Sequence, residues 1–220
     1  MATSTAATDA VTNYKPKKWT YGVHPSVKMM QDWVASLPEK TGRSLDQWID
    51  LTKKQGPKTE AERRDWLKSK HKLGTNAAWT IAQRASGRGG GEDDDPETYL
   101  RSAQAYVDAM FAGKKAGLRP IFDELMQAGH ALGNDVRACP CTTMVPLYRN
   151  HVFAQIKPAT NSRIDLGLCL RGVKPTKRLL ATDGEAKGDR ITHRIAIDSM
   201  DQVDDEVRKW LKRAYDADSQ

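Results

Sequence analysis

Ile164-Asp165-Leu166-Gly167-Leu168-Cys169-Leu170 decides the fold. Four large aliphatic residues alternate with Asp165, Gly167 and Cys169, the period-two pattern of a strand with one buried face. Residues 191–197 repeat it, with Ile191, His193, Ile195 and Ile197 set against Thr192, Arg194 and Ala196. Residues 152–156 form a third apolar run. The turn-rich Lys157-Pro158-Ala159-Thr160-Asn161-Ser162 joins that run to residues 164–170 as a hairpin. A sheet is therefore expected within residues 142–198.

Helical periodicity surrounds the sheet. Val203, Val207, Trp210, Leu211 and Ala214 predict a closing helix over 201–215. Upstream, Asp95-Pro96 starts a helix that buries Leu100, Ala103, Val107, Met110 and Phe111. Pro120 starts another, with Ile121, Leu125, Ala128 and Leu132 inward. Strands flanked by helices without strict βαβ alternation indicate α+β, with a mostly antiparallel sheet packed by helices.

Further upstream the punctuation is dense. A helix over 26–37 is closed by Pro38. Ser44-x-x-Gln47 and Thr59-x-x-Glu62 are capping boxes, Gly56 reads as a left-handed helix end, and Thr75 reads as a cap. Trp48, Trp66 and Trp79 fall one per helix, so a three-helix module closing on a Trp cluster is expected. Residues 88–95 (RGGGEDDD) read as a solvated linker. The expected division is a disordered or basic arm over 1–23, a helical module over 24–87, the linker over 88–95 and the α+β domain over 96–217. Within the arm, residues 1–13 read as disordered, whereas Lys15-Pro16-Lys17-Lys18-Trp19-Thr20-Tyr21 suits either nucleic-acid contact or aromatic packing on neighbouring helices.

Residues 1–91 hold 16 Lys+Arg against 8 Asp+Glu, a net of +8; residues 92–220 hold 19 against 20, a net of −1. That imbalance suggests an anionic partner for the N-terminal part, nucleic acid being favoured, with Lys53, Lys54, Lys58, Arg63, Arg64, Lys68, Lys70 and Lys72 as phosphate contacts. A merely solvated helical surface is the plainer account, since the basic residues are scattered rather than clustered in a run. Near the sheet, Arg149, His151, Lys157, Arg163, Arg171, His193 and Arg194 are candidates for an anion or ligand surface, or for ordinary edge protection. His193 falls on the apolar face of its strand. It is either a core imidazole or, given a carboxylate orienter and a pocket, a general base with Arg194 beside it.

Several classes find no support. Cys139, Cys141, His151 and His193 are suitable ligand types, but Cys-x-Cys is shorter than structural zinc spacing, so no metal site is assigned. No Gly-x-Ser-x-Gly, His-Glu-x-x-His, dinucleotide or phosphate-loop motif occurs, so no cofactor and no conventional catalytic residue is assigned. Residues 1–18 lack the apolar core of a signal peptide, no run reaches the ~20 apolar residues of a membrane span, and three cysteines suit reduced thiols. The expectation is a cytoplasmic, non-enzymatic binding protein; a small-molecule or catalytic site at His193/Arg194 and a protein-interaction adaptor stay open.

Thr41-Gly42-Arg43-Ser44-Leu45-x-x-Trp48 and Trp66-Leu67-Lys68-x-x-His71-x-Leu73-Gly74 resemble the N-terminal module of a group of uncharacterised bacterial two-module proteins. Phe153-Ala154-x-Ile156-Lys157-Pro158, Thr192-His193-Arg194 and Asp204-x-Glu206-Val207-x-x-Trp210-Leu211 resemble their C-terminal module. The resemblance implies two domains of unknown function. The second is similar in style to the small α+β domains of YdhG- and YjbR-like proteins, for which nucleic-acid or partner binding has been suggested. The chain departs from the resemblance at Cys139-Pro140-Cys141.

Overall fold

The computed structural model describes residues 14–218, so the expectation for residues 1–13 lies outside them. Two compact units result. One is Val23–Ser102; the other joins the chain up to Gly22 with Ala103 onward.

The first unit contains α1 (Pro25–Thr41), α2 (Leu45–Gln55), α3 (Glu60–His71) and α4 (Thr75–Ala85). Both capping boxes form. The Ser44 hydroxyl accepts from the Gln47 N–H at 3.2 Å while Gln47 Oε1 accepts from the Ser44 N–H at 2.8 Å, and Thr59 and Glu62 repeat the exchange. α1 does not stop at Pro38 but runs one turn further to Gly42, whose φ is +73° and whose N–H reaches the Pro38 carbonyl at 2.8 Å. A proline this close to a helix end removes one ladder bond, which the burial of Leu37 offsets. Gly56 is extended rather than left-handed; glycine is required there because a Cβ would meet the Thr52 carbonyl oxygen at 2.5 Å. The left-handed residue falls instead at Lys72, φ 57°, after α3. Gly74, not Thr75, occupies the N-cap of α4, and it makes no side-chain cap bond.

Leu37, Leu45, Trp48, Leu67, Leu73, Ala78, Ile81 and Ala82 form the core of this unit. The expected Trp cluster is corrected. The His71 ring meets Trp48 and Trp66 edge-on at centroid distances of 5.2 and 4.4 Å, and Trp79 is 45% exposed. Ala78, Ile81 and Ala82 already fill the core at i, i+3 and i+4, which turns position 79 about 100° away. Residues 88–95 are not a bare spacer either. Arg84 Nη1 donates to Asp94 at 2.8 Å, Gln31 Nε2 to the Asp94 carbonyl at 2.9 Å, and Asp95 caps α5 (Pro96–Met110) by accepting from the Thr98 N–H at 2.8 Å.

This placement redistributes the charge. Val23–Ser102 holds 14 Lys+Arg against 12 Asp+Glu, a net of +2, and the remaining residues of the chain hold 21 against 16, a net of +5. The basic excess of residues 1–91 arises because the cut at 91 leaves out the acids of 92–95, and because Lys15, Lys17 and Lys18 belong with the other unit.

The second unit is built on a six-stranded sheet in the order β1-β2-β3-β4-β6-β5, every neighbour antiparallel. The strands are β1 (Arg137–Ala138), β2 (Val145–Tyr148), β3 (Val152–Pro158), β4 (Ile164–Leu168), β5 (Leu180–Ala181) and β6 (His193–Ile197). The expected hairpin pairs Ala154 with Leu168 and Pro158 with Ile164. Gly167 permits close approach on the sheet face, since a Cβ there would meet Gln155 Cγ at 2.7 Å and Ile191 Cγ2 at 2.8 Å. α6 (Arg119–His130) and α7 (Asp205–Ala217) bury Phe122, Leu125, Met126, Val207 and Leu211 in one core with Leu147, Phe153, Ile156, Leu166 and Ile195. Asp204, rather than Asp201, caps α7, accepting from the Val207 N–H at 3.1 Å.

Residues 14–22 complete this unit. Asp123, fully buried on α6, accepts from the Tyr14 hydroxyl at 2.7 Å, the Lys17 N–H at 3.0 Å, the Trp19 indole N–H at 2.7 Å and Arg119 Nε at 3.2 Å. Arg119 also donates to the Lys17 carbonyl at 3.1 Å, Trp19 stacks on His130, and Gly22 donates to the Ala138 carbonyl at 2.8 Å. The segment's aromatics are thus packed against α6.

Two outcomes follow for stability. Asp123→Ala takes from the buried Arg119 its buried charge partner and leaves it only the exposed Asp108 at 3.4 Å, so urea unfolding of the variant should show a loss of about 3–5 kcal/mol. Burial lowers the pKa of His24, His71 and His130, with Lys70 and Arg43 adding to the effect at His71. A folded value below the unfolded one means the unfolded chain takes up the proton first. This stabilisation is complete above the ordinary histidine value of 6.5 and is lost as pH falls through the lowered folded values. The urea midpoint should therefore fall between pH about 7.5 and about 5.5, and His130→Phe, which preserves an aromatic partner for Trp19, should flatten the decline.

Candidate functional site

The N-terminal cations do not form one patch. Lys53 and Lys54 end α2, and Lys58 precedes α3. Arg63 is a brace, donating through Nε to the Pro57 carbonyl at 2.8 Å and through Nη1 to Ser86 Oγ at 2.9 Å. Lys70 lies over the Trp66 ring, and Lys72 is the left-handed residue after α3. Arg64 and Lys68, four residues apart and so on one helix face, share a groove with Ala61, Asp65, Thr75, Asn76 and Trp79. The groove encloses about 320 Å³. The ion pairs of this unit join Lys28 to Asp32, Arg84 to Asp94, Arg88 to Glu60 and Arg101 to Glu97. Among the described residues neither Arg64 nor Lys68 is in an ion pair. Asp65 is the one carboxylate lining the groove.

The cations near the sheet separate into three groups. Arg163 and Arg194 converge on Asp165 at 2.9 and 3.4 Å, with Lys157 opposite Asp165 in the strand register and exposed. Arg149 donates to Asp135 at 2.7 Å and lies 4.2 Å from the Tyr215 ring centroid. Together with the Tyr215 hydroxyl, which donates to Asp135 at 2.7 Å, Arg149 holds the Asp135 carboxyl below the usual range. The third group is a cavity of about 360 Å³ lined by Cys169, Leu170, Arg171, Val173, Arg190, Arg213 and Ala217. Arg171 was legible in the sequence as a surface candidate. Arg190 and Arg213 were not, because one lies in the loop before β6 and the other on the polar side of α7. His151 reaches this region indirectly: its N–H and Nδ1 meet the buried Asp218, which also accepts from Arg190 Nη2 at 2.8 Å.

His193 is 2% exposed and lines none of these cavities. The Val173 carbonyl, 3.0 Å from Nε2, can only accept, so Nε2 carries the hydrogen; Nδ1 is 2.9 Å from the Thr192 hydroxyl. Thr192 Oγ1 in turn accepts from the Leu170 N–H at 3.0 Å. The imidazole therefore ties the turn after β4 to β6, and both of its nitrogens are engaged, which leaves neither for proton abstraction from a bound molecule. Cys139 is buried, which pushes its thiol up to about 12, away from thiolate chemistry. Among the described residues no group of three His, Cys, Asp or Glu side chains is placed to hold a metal ion, and no helix is long and apolar enough to cross a membrane. Replacing His193 with Ala opens a core cavity and strands the Val173 carbonyl. A loss of about 2–4 kcal/mol in urea unfolding is expected; a variant as stable as the parent would contradict the structural role.

No curated protein and no solved structure matches the chain. Residues 29–87, which take in most of α1 and all of α2 to α4, match the domain of unknown function DUF4287. Residues 107–218, from the last turn of α5 through α7, match the domain of unknown function DUF5655. Residues 14–22 lie in neither match, although they complete the hydrogen bonding of Asp123 inside the second. The second match takes in just over half of the 220 residues, and on that extent the chain belongs to the family of the domain of unknown function DUF5655.

Proposed function

We propose that the chain is a non-enzymatic binding protein whose helical unit takes single-stranded nucleic acid along the α3/α4 groove. The observation that supports this is Trp79: a large aromatic ring, 45% exposed, that lines one groove with two cations in no ion pair, Arg64 and Lys68. Sequence-tolerant single-strand binding combines a stacking platform with cations that follow the phosphates. The net charge of the unit is too small to carry the proposal, so the local arrangement carries it. Asp65 limits the groove to a modest affinity.

The reading centred on His193 and Arg194 has less to support it, since the imidazole is enclosed and Arg194 is paired with Asp165. An adaptor role is favoured by the same exposed Trp79, because tryptophan is a frequent anchor in protein interfaces. The two readings separate in a titration of the full chain with labelled single-stranded DNA and RNA at low and moderate salt. Trp79→Ala should weaken binding by about 5- to 150-fold, the loss of one stacked base. Arg64→Ala with Lys68→Ala should reduce the salt slope by about 1.4 for two phosphate contacts. Affinity and slope unchanged by both substitutions would sink the proposal, and no binding at low salt would turn Trp79 toward a protein partner.

A further inference from the structure

We propose that the cavity between the turn after β4, the loop before β6 and α7 binds the phosphate group of a small phosphate monoester. Three guanidinium-bearing residues from three separate elements line it: Arg171, Arg190 and Arg213. Arg190 is held in place by the buried Asp218 at 2.8 Å and by the Val152 carbonyl at 3.3 Å. Arg171 makes one long bond to the Asp189 carbonyl at 3.5 Å, and Arg213 lies over the Trp210 ring at 5.5 Å. Among the described residues neither Arg171 nor Arg213 is in an ion pair. Among the described residues that line the cavity none is a carboxylate, and of the three arginines only Arg190 pairs with Asp218, so the lining carries an excess of positive charge. A phosphate monoester is close to a dianion at neutral pH and offers the oxygens that guanidinium forks recognise.

The walls suit a small organic ester rather than a bare ion. Leu170, Val173 and Ala217 are apolar, and about 360 Å³ lies at the small end of the range for small-molecule sites. They are also fixed. The Val173 carbonyl is held by His193, the Val173 N–H donates to the Leu170 carbonyl at 3.2 Å, and the Leu170 N–H donates to Thr192. A preformed cavity spares the ordering cost of closing a loop on the ligand. This site lies in the α+β unit and does not depend on the groove at Trp79.

Cys169 lines the cavity and provides the readout. The full chain is treated with iodoacetamide in the presence of inorganic phosphate, ribose 5-phosphate, or an oligonucleotide with a 5′-phosphate or a 5′-hydroxyl, each at about 10 mM or below, with sodium chloride matched for ionic strength. The modified peptide is identified by mass. Ribose 5-phosphate is expected to slow alkylation of Cys169 and to raise the melting temperature. Arg171→Ala with Arg213→Ala should weaken that protection by about 10- to 100-fold while leaving the unliganded melting temperature unchanged. Protection by the 5′-phosphorylated oligonucleotide alone would overturn the small-molecule assignment. Equal protection by sodium chloride, or protection unaltered in the double variant, would overturn the site. Trp79→Ala separates the two proposals: it should not change Cys169 protection.

Discussion

A single buried carboxylate sets the composition of the α+β unit. Asp123 is inaccessible to solvent, and burying a charge at such a position is unfavourable by several kcal/mol unless donors replace the lost water. Only Arg119 comes from its own helix. The other three donors belong to Tyr14, Lys17 and Trp19, more than a hundred residues away in sequence. The arm is therefore a required part of the domain: withdrawing it would expose the apolar face that Trp19 and Tyr21 cover and leave Asp123 and Arg119 under-satisfied.

The consequence for function is a subtraction. A basic–aromatic segment at an N-terminus resembles a nucleic-acid arm, yet in this chain the Trp19 indole N–H, the Tyr14 hydroxyl and the Lys17 backbone are all committed inward. What remains open lies elsewhere. The helical unit exposes Trp79 beside Arg64 and Lys68, and the α+β unit encloses Arg171, Arg190 and Arg213 around a thiol and an apolar floor. In both, the cations among the lining residues outnumber the carboxylates. His193 is spent on joining a turn to a strand, and the His151–Asp218 pair beside Arg190 supplies no residue to the lining of the cavity.

Much of the architecture was legible, and the reasons are local. Period-two alternation located β4 and β6, an apolar run located β3, and capping-box spacing located the starts of α2 and α3, because all three signals depend on neighbours within a few residues. β1 and β5 are two residues long, too short for any period, and β2 is four residues long and contains Pro146, so it too carries no alternating pattern. Trp79 was misplaced because a tryptophan in a helix was counted as core, although the spacing of Ala78, Ile81 and Ala82 already turns those residues inward and position 79 away from them. The charge imbalance was legible but misleading: Asp94 returns to Arg84, a pairing that no spacing rule announces. Arg190 and Arg213 lie 19 and 42 residues beyond Arg171, and only the sheet order brings them together.

The most direct measurement is hydrogen exchange on the full chain, following the Lys17 amide and the Trp19 indole N–H by NMR. If Asp123 holds the arm as an integral part of the domain, both hydrogens should exchange as slowly as the backbone amides of α6, since they open only when the unit opens. Rapid exchange at both sites, with α6 still protected, would show the arm to be loose. Lys15, Lys17, Lys18 and Trp19 would then rejoin the surfaces open to an anionic ligand, and Asp123 would not be the residue that closes the domain.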